Sequence, residues 1–186
     1  MSSSPPTEAP VLAGPISLEE FLSWGVTDVQ YELVDGWVVV NPAPGPGHQQ
    51  VVTNLFRLLL GARPAGHEVL TAPLDWVLSS DPPRVRQPDV VLVALPAVLP
   101  LTSPPLLVVE VLSPGGHERD LVTKRLEYAA AGLRHYWVID PQAPAVVIFA
   151  GDELHEVARS SGDTPIGVAQ PVTAAVVPSA LVAPPT

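Results

Sequence analysis

The sequence contains no cysteine among its 186 residues. This absence excludes disulfide bridges, cysteine-ligated zinc, cysteine nucleophiles and iron–sulfur clusters. Positive charge is also scarce, because nine Lys and Arg residues stand against nineteen Asp and Glu residues, for a formal net charge of −10. Non-specific nucleic-acid binding depends on many Lys and Arg contacts to phosphates. The composition therefore argues against a protein that coats DNA, and any nucleic-acid contact is expected at a local patch or a metal site.

Long apolar runs and an export signal are absent as well. No stretch approaches the roughly 20 apolar residues of a membrane-spanning helix. The first residues lack the basic and apolar segments of a secretory signal. These absences predict a cytoplasmic protein that has no membrane partner. Hydrophobic residues make up 47% of the chain and charged residues 15%, which favours a packed core over intrinsic disorder.

Composition divides the chain into a body and two unusual ends. Residues 1–15 are rich in Ser, Pro and Ala, which predicts a disordered N-terminal tail. Residues 16–160 are expected to form a single domain. Residues 161–186 are rich in Pro, Ala and Val, and we expect at most one edge strand there, near 172–177, followed by a loose end.

Local patterns predict an alternation of helices and strands. Ser17-Leu18-Glu19-Glu20 has the form of a capping box and predicts a short helix that ends near Trp24. Asp35-Gly36 lies between two apolar runs and predicts a β-hairpin over 31–40, and a turn is expected over 79–83. Further helices are predicted over 48–62 and 117–131, and strands over 67–78, 89–93, 106–112, 136–140, 145–150 and 154–158. This order of elements indicates an α/β or α+β fold with a mixed sheet.

Two acidic residues lie inside apolar segments that are typical of buried strands. Asp89 follows Pro88 and opens an apolar run, and Glu110 lies within the run 106–112. A buried carboxylate costs several kcal/mol unless it is paired or binds a metal. Two of them in neighbouring strands would also repel each other, and a divalent cation would relieve both problems. Carboxylate oxygens suit Mg²⁺ or Mn²⁺.

The only lysine, Lys124, lies on a predicted helix. Asp120, Lys124 and Tyr128 recur every four residues and so share one helix face. The ammonium group could pair with the carboxylates, orient a water or stabilise charge on a phosphate. Glu32 and His48 could reach the same cleft, although spacing alone does not show it. Surface arginines, or a local basic rim, are expected from Arg84, Arg86, Arg119, Arg125 and Arg134.

Six motifs, in order, resemble those of a known family over about residues 17–158. The family is Uma-two, a restriction-endonuclease-like branch of the PD-(D/E)XK nuclease superfamily. The motifs are Tyr31-Glu32-Leu33-Val34-Asp35-Gly36, then His48, then Gln87-Pro88-Asp89-Val90-Val91, then Val109-Glu110-Val111-Leu112-Ser113-Pro114, then Asp120, Lys124 and Tyr128 at intervals of four, and Tyr136-Trp137-Val138-Ile139-Asp140-Pro141.

The resemblance implies a mixed central sheet flanked by helices, with an additional N-terminal β-hairpin, and Mg²⁺-dependent (or Mn²⁺-dependent) hydrolysis of phosphodiester bonds in DNA. Asp89 and Glu110, with the Val111 carbonyl, would hold the metal. Glu32 would be an upstream acid that binds a second metal or its water. His48 would orient a carboxylate or contact phosphate.

One position departs from the superfamily pattern. That pattern places a lysine two residues after the second acid, where this chain has Leu112. The resemblance implies that Lys124 takes its place and positions the attacking water. Three hypotheses follow: a metal-dependent DNA endonuclease that forms a homodimer, a catalytically inactive nuclease-fold module that acts as a dimeric scaffold or partner-binding subunit, and a hydrolase of another phosphate ester.

Overall fold

The computed structural model describes residues 11–25, 27, 29–41, 43–113 and 119–184. The first half of the chain forms β1 (Val11–Ala13), α1 (Leu18–Ser23), β2 (Tyr31–Val34), β3 (Trp37–Val40), α2 (Pro46–Ala62), β4 (His67–Thr71), β5 (Trp76–Ser80), β6 (Pro83–Arg86) and β7 (Val90–Ala94). The second half forms β8 (Leu107–Val111), a π-helical segment (Arg119–Lys124) that continues into α3 (Arg125–Ala130), β9 (His135–Asp140), β10 (Ala145–Ala150), β11 (His155–Ser161), β12 (Ile166–Val168), β13 (Ala174–Val176) and α4 (Pro178–Val182).

A six-stranded mixed sheet forms the centre of the molecule, in the order β11-β10-β9-β8-β7-β4. Only β8 and β9 run parallel; the other neighbours in this sheet are antiparallel. All five residues of β8 are buried, as the apolar run 106–112 predicts for a strand covered on both faces. Helix α2 packs on one face of the sheet through Val51, Leu55 and Leu59. Tyr128 of α3 belongs to the core on the other face, so the predicted mixed sheet with flanking helices is confirmed.

The N-terminal hairpin belongs to a second sheet of five strands, in the order β1-β3-β2-β6-β5. Asp35 and Gly36 form its turn with φ values of 52° and 87°. Such a turn needs positive φ at both central residues, which Gly adopts freely and Asp tolerates. Ser17 begins α1 as predicted, since its side chain accepts a hydrogen bond of 3.1 Å from the Glu20 N–H. The expected helix and hairpin are therefore both present.

The chain ends differ from the prediction. Val11–Ala13, within the expected tail, form β1 and pair with β3, while residues 1–10 lie outside the described residues. After residue 160 the chain forms β12, β13 and α4; β13 lies within 172–177, where the edge strand was expected, and α4 takes the place of the expected loose end. Val172 and Leu181 are buried in the same core as α2, on one face of the central sheet.

Two internal elements also differ from the prediction. The turn expected over 79–83 is present but shorter, at Asp81 and Pro82, because Ser79 and Ser80 of β5 already pair with Arg84 and Pro83 of β6. The helix expected over 117–131 is π-helical from Arg119 to Lys124 before it becomes α-helical, and its first two predicted residues lie outside the described residues. No helix in the described ranges is both long and apolar enough to cross a membrane.

Candidate active site

The two acids singled out in the sequence lie at the same end of two neighbouring strands. Asp89 directly precedes β7, and Val90 of β7 pairs with Val109 of β8, the residue before Glu110. The Val111 N–H donates to Asp89 Oδ2 over 2.8 Å, which ties the carboxylate to β8. The structure therefore brings the two predicted acids together at one edge of the strand pair.

His48 approaches the same carboxylate from the first turn of α2. Its Nε2 lies 3.2 Å from Asp89 Oδ2. The side chains of His48 and Asp89 are 10% and 18% exposed, whereas Glu110 is buried. Solvent and any ligand therefore reach the acid pair from the side of His48 and Asp89.

Lys124 is buried and its ammonium group faces three carboxylates. Nζ lies 2.9 Å from Glu110 Oε1, and 3.6 Å from both Glu32 Oε1 and Asp120 Oδ1. Burial alone would lower the pKa of Lys124, but the three carboxylates raise it above its ordinary value. The lysine therefore stays protonated at neutral pH. The π-helical segment that ends at Lys124 is a geometry often found at functional sites.

Glu110 receives two donors on one oxygen. Tyr128 donates its hydroxyl to Oε1 over 2.6 Å, beside the contact from Lys124. Burial raises the pKa of Glu110 to about 8; Lys124 opposes this shift, and the negative charges of Asp89 and Asp120 add to it. Burial is thus the main reason that the charged form of Glu110 is disfavoured, and a divalent cation bound beside it would favour that form.

Glu32 lies deeper, between cations and a backbone amide. Its Oε2 accepts from Arg86 Nη1 over 2.9 Å, and its Oε1 accepts from the Gln87 N–H over 3.0 Å. Burial would raise the pKa of Glu32, but Lys124 and Arg86 together with these hydrogen bonds lower it to about 2. Both oxygens are therefore engaged by protein donors. The metal role predicted for Glu32 stays a prediction, and the contacts of this carboxylate are those of a counter-ion.

The buried ion pairs around Lys124 form a charge cluster of Glu32, Arg86, Glu110, Asp120, Lys124 and Glu127. Sequence reasoning missed two members of this charge cluster. Arg86, expected among surface arginines, is buried and donates to both oxygens of Glu127 over 2.7 and 2.8 Å. Glu127 carried no prediction, although it follows Lys124 by three residues and so lies near the same helix face. Of the other expected arginines, Arg84 and Arg119 also contact acids of the cluster. Arg125 and Arg134 instead contact the turn between β10 and β11.

The residues fit a hydrated divalent cation rather than a complete protein cage. No group of three or more His, Asp and Glu side chains in the described ranges is arranged to hold a metal. Within those ranges, the hydrogen bonds to the acid pair use Oδ2 of Asp89 and Oε1 of Glu110, so the other oxygen of each is available as a ligand. Mg²⁺ is commonly bound by one or two carboxylates, with water and substrate phosphates completing its shell.

Comparison with known proteins identifies the family and the fold. Residues 18–173 match the family model Uma2, described as "Putative restriction endonuclease". The chain belongs to the Uma2 (Uma-two) family. A solved structure titled as a putative nuclease of DUF820 from Anabaena variabilis ATCC 29413 superposes with a TM-score of 0.73 at 18% identity, covering 90% of this chain and 98% of that one. No curated protein sequence matches the chain.

The Uma2 match covers most of the helices and strands described above. It extends beyond residue 158, where the motif resemblance ended, and includes β12. The structural match at 18% identity supports the fold alone, which is restriction-endonuclease-like. The family and fold recognised from the six motifs are confirmed, and the chemistry of the site rests on the side chains described above.

Proposed function

We propose that this Uma2 protein is a metal-dependent endonuclease that hydrolyses phosphodiester bonds in DNA. One observation carries the proposal: the N–H of Val111, the residue after Glu110, donates to Asp89 Oδ2 over 2.8 Å, and Lys124 Nζ lies 2.9 Å from Glu110 Oε1. Two acids and a lysine at one sheet edge form the set of groups that the nuclease motifs imply. Family membership adds a substrate class, because the Uma2 description names a restriction endonuclease.

The protein's own groups hold both carboxylates in fixed orientations. The Val111 N–H and His48 contact the same oxygen of Asp89, and Lys124 and Tyr128 contact the same oxygen of Glu110. The remaining oxygens, with the Val111 carbonyl, would hold Mg²⁺ or Mn²⁺. The chemistry that such a cation would supply there is polarisation of a phosphate and a lowered pKa of a coordinated water.

Lys124 acts in this proposal as a permanent positive charge. Its raised pKa makes it a poor proton acceptor at neutral pH, so it orients a water or stabilises charge that develops on the phosphate. Glu32 positions Lys124 from behind, since its Oε1 lies 3.6 Å from Nζ while its Oε2 binds Arg86. A direct metal role for Glu32, as expected from the resemblance, would require it to release one of these donors.

The DNA contact is proposed to be local. The net charge of −10 leaves little positive surface for phosphate contacts beyond the site. A homodimer and a cytoplasmic location, both expected from the sequence, belong to the same proposal. Sedimentation of the purified protein tests the first, and fractionation of cells that produce it tests the second.

A second candidate is a nuclease-fold module without catalysis, acting as a scaffold or partner-binding subunit. Two observations favour it. Leu112 occupies the position where the superfamily pattern has a lysine, and the side chains of Glu110 and Lys124 are each only 4% exposed. A site so closed would have to open before a phosphate could contact Glu110.

Cleavage assays separate these candidates. The substrates are supercoiled, linear and single-stranded DNA, RNA and small phosphate esters, each with Mg²⁺, with Mn²⁺ or with EDTA. We expect DNA cleavage in either metal and none in EDTA, with Asp89→Asn and Glu110→Gln inactive. The control is Glu153→Gln, an acid that is 79% exposed, which should cleave like the unaltered protein.

The opposing outcomes are distinct. Cleavage that survives in Asp89→Asn would refute the site. Cleavage of a small ester without cleavage of DNA would replace the substrate class and keep the metal chemistry. If no substrate is cleaved and Mn²⁺ does not raise the melting temperature, the non-catalytic module is correct.

A further inference from the structure

A pocket outside the acid pair has the features of a ligand site. It has a volume of about 330 Å³, at the lower end of the range for small organic ligands. Its wall contains three neighbouring aromatic rings and two polar side chains, Asp75 and Gln87, that are hydrogen-bonded to each other. The residues used below are Phe21, Trp24, Tyr31, Asp75, Gln87 and Leu99.

The polar pair leaves a buried hydrogen-bond acceptor without a partner. Gln87 Nε2 donates to Asp75 Oδ1 over 2.8 Å. Because a carboxylate only accepts hydrogen bonds, this contact fixes which end of the amide is nitrogen. The other end, Oε1, is buried and has no hydrogen-bond partner among the described residues. Buried polar atoms are nearly always paired, so this acceptor needs a donor from outside the described residues, from a water or from a ligand.

The aromatic group provides a surface for a flat ring. Trp24 lies 5.7 Å from Phe21 and 5.7 Å from Tyr31, measured between ring centroids. Trp24 is 36% exposed although it is a large aromatic residue. Leu99, which is 56% exposed, lines the same pocket. A planar ligand that stacks on Trp24 would bury this apolar surface.

The pocket adjoins the acid pair through the backbone. Gln87 precedes Asp89 by two residues, a separation that spans at most about 7 Å between Cα atoms. The N–H of Gln87 donates to Glu32 within the charge cluster, while its side chain lines the pocket. One residue therefore contacts both places, and a nucleotide whose phosphate lies at Asp89 has its base within reach of the pocket.

We propose that this pocket binds a nucleobase that carries an exocyclic amino group, unstacked from a DNA strand. The Asp75 carboxylate, which lines the pocket and is oriented by Gln87, accepts hydrogen bonds and so requires N–H donors. Adenine, cytosine and guanine present an amino group, whereas thymine and uracil present carbonyl oxygens on both sides of a single N–H. Enzymes that extrude a base read it by such hydrogen bonds and by stacking on aromatic side chains. The inference rests on the proposed function in one respect, namely that the substrate is a nucleic acid.

Nucleoside binding tests the pocket without any cleavage. Calorimetry in EDTA compares deoxycytidine with deoxyuridine, and deoxyadenosine with deoxyinosine, because each pair differs by an amino group replaced by a carbonyl. We expect the amino partner to bind about tenfold or more tightly, the ratio produced when a buried acceptor loses its donor. Quenching of tryptophan fluorescence should accompany binding and should be lost in Trp24→Leu, because the chain has four tryptophans.

Three variants probe the wall of the pocket. Gln87→Met removes the amide that orients Asp75 and keeps the backbone N–H, and Asp75→Asn replaces one acceptor oxygen of the carboxylate by a donor at the same volume. Each should reduce the preference for the amino-bearing base severalfold. Trp24→Leu should weaken all nucleosides about tenfold through lost stacking. Circular dichroism checks that each variant is folded, and Glu153→Gln is the matched control with unchanged binding.

Failure of this inference can be told apart from failure of the proposed function. Discrimination between the paired nucleosides by a protein that never cleaves DNA would leave the pocket intact and remove the endonuclease. Asp89-dependent cleavage without nucleoside binding would overturn the pocket alone. Equal binding within each pair, or a preference that survives both Gln87→Met and Asp75→Asn, would also overturn it. A Trp24 surface that is covered only on self-association would assign the pocket to a protein interface and overturn the proposal.

Discussion

Replacement of Glu32 by Gln tests the charge cluster most directly. The pKa of Glu32 is about 2 in the folded protein against an ordinary 4.5. A difference of roughly 2.5 units, at about 1.4 kcal/mol for each unit, is worth about 3 kcal/mol. Because the folded pKa is the lower one, this stability is present above pH 4.5 and is lost as pH falls through 2. Glu32→Gln keeps the shape of the side chain and removes the charge.

Urea unfolding in EDTA at pH 7 and pH 3 measures the effect. We expect Glu32→Gln to be less stable than the unaltered protein at pH 7, and the gap to narrow by about 2 kcal/mol at pH 3, where the charged form contributes only about 1 kcal/mol. Glu153→Gln, which changes an exposed acid, should show little gap at either pH. An equal difference in unfolding free energy between Glu32→Gln and the unaltered protein at both pH values would refute the reasoning. It would mean that the loss of stability does not depend on the charge of Glu32.

Three further substitutions and one metal titration test other parts of the structure. Tyr128→Phe removes a donor to Glu110 and should lower the free energy of unfolding by about 2 kcal/mol in urea. Leu181→Ala should lower the free energy of unfolding by about 2–5 kcal/mol, because Leu181 is buried in the core. A change near zero would mean that α4 does not pack against the core. Lys124→Met leaves buried carboxylates unpaired and should lower the free energy of unfolding by about 3–5 kcal/mol. It should also abolish cleavage. Mn²⁺ should raise the melting temperature of the unaltered protein but not of Asp89→Asn, as differential scanning fluorimetry would show.

The elements that the sequence predicted correctly are those with a strong local signal. The hairpin follows from Asp35-Gly36, whose two residues suit a turn with positive φ. Helix α2 follows from apolar residues at helical spacing, of which Val51, Leu55 and Leu59 are buried in the structure. The two site acids were found because a carboxylate inside an apolar run is costly, and that cost depends only on the residues around it.

The features that were missed depend on contacts between distant segments. The pairing of Arg86 with Glu127 joins residues 41 positions apart, and an arginine in a short polar strand has no local property that marks it as buried. The C-terminal segment looked loose because its apolar residues are small and interrupted by proline. Its burial becomes visible only once α2 and the central sheet offer a face to cover, as Val172 and Leu181 do.

The two central cations of the cluster show why the single lysine lies where it does. Arg86 uses three planar donors, two on Glu127 and one on Glu32, which is the geometry that a guanidinium provides. Lys124 instead brings one compact ammonium to three carboxylates from different elements. A guanidinium would need more room and would hold its donors in one plane, which does not suit acceptors that lie around a point. In a chain with eight arginines and one lysine, the lysine occupies the position where arginine is the poorer fit.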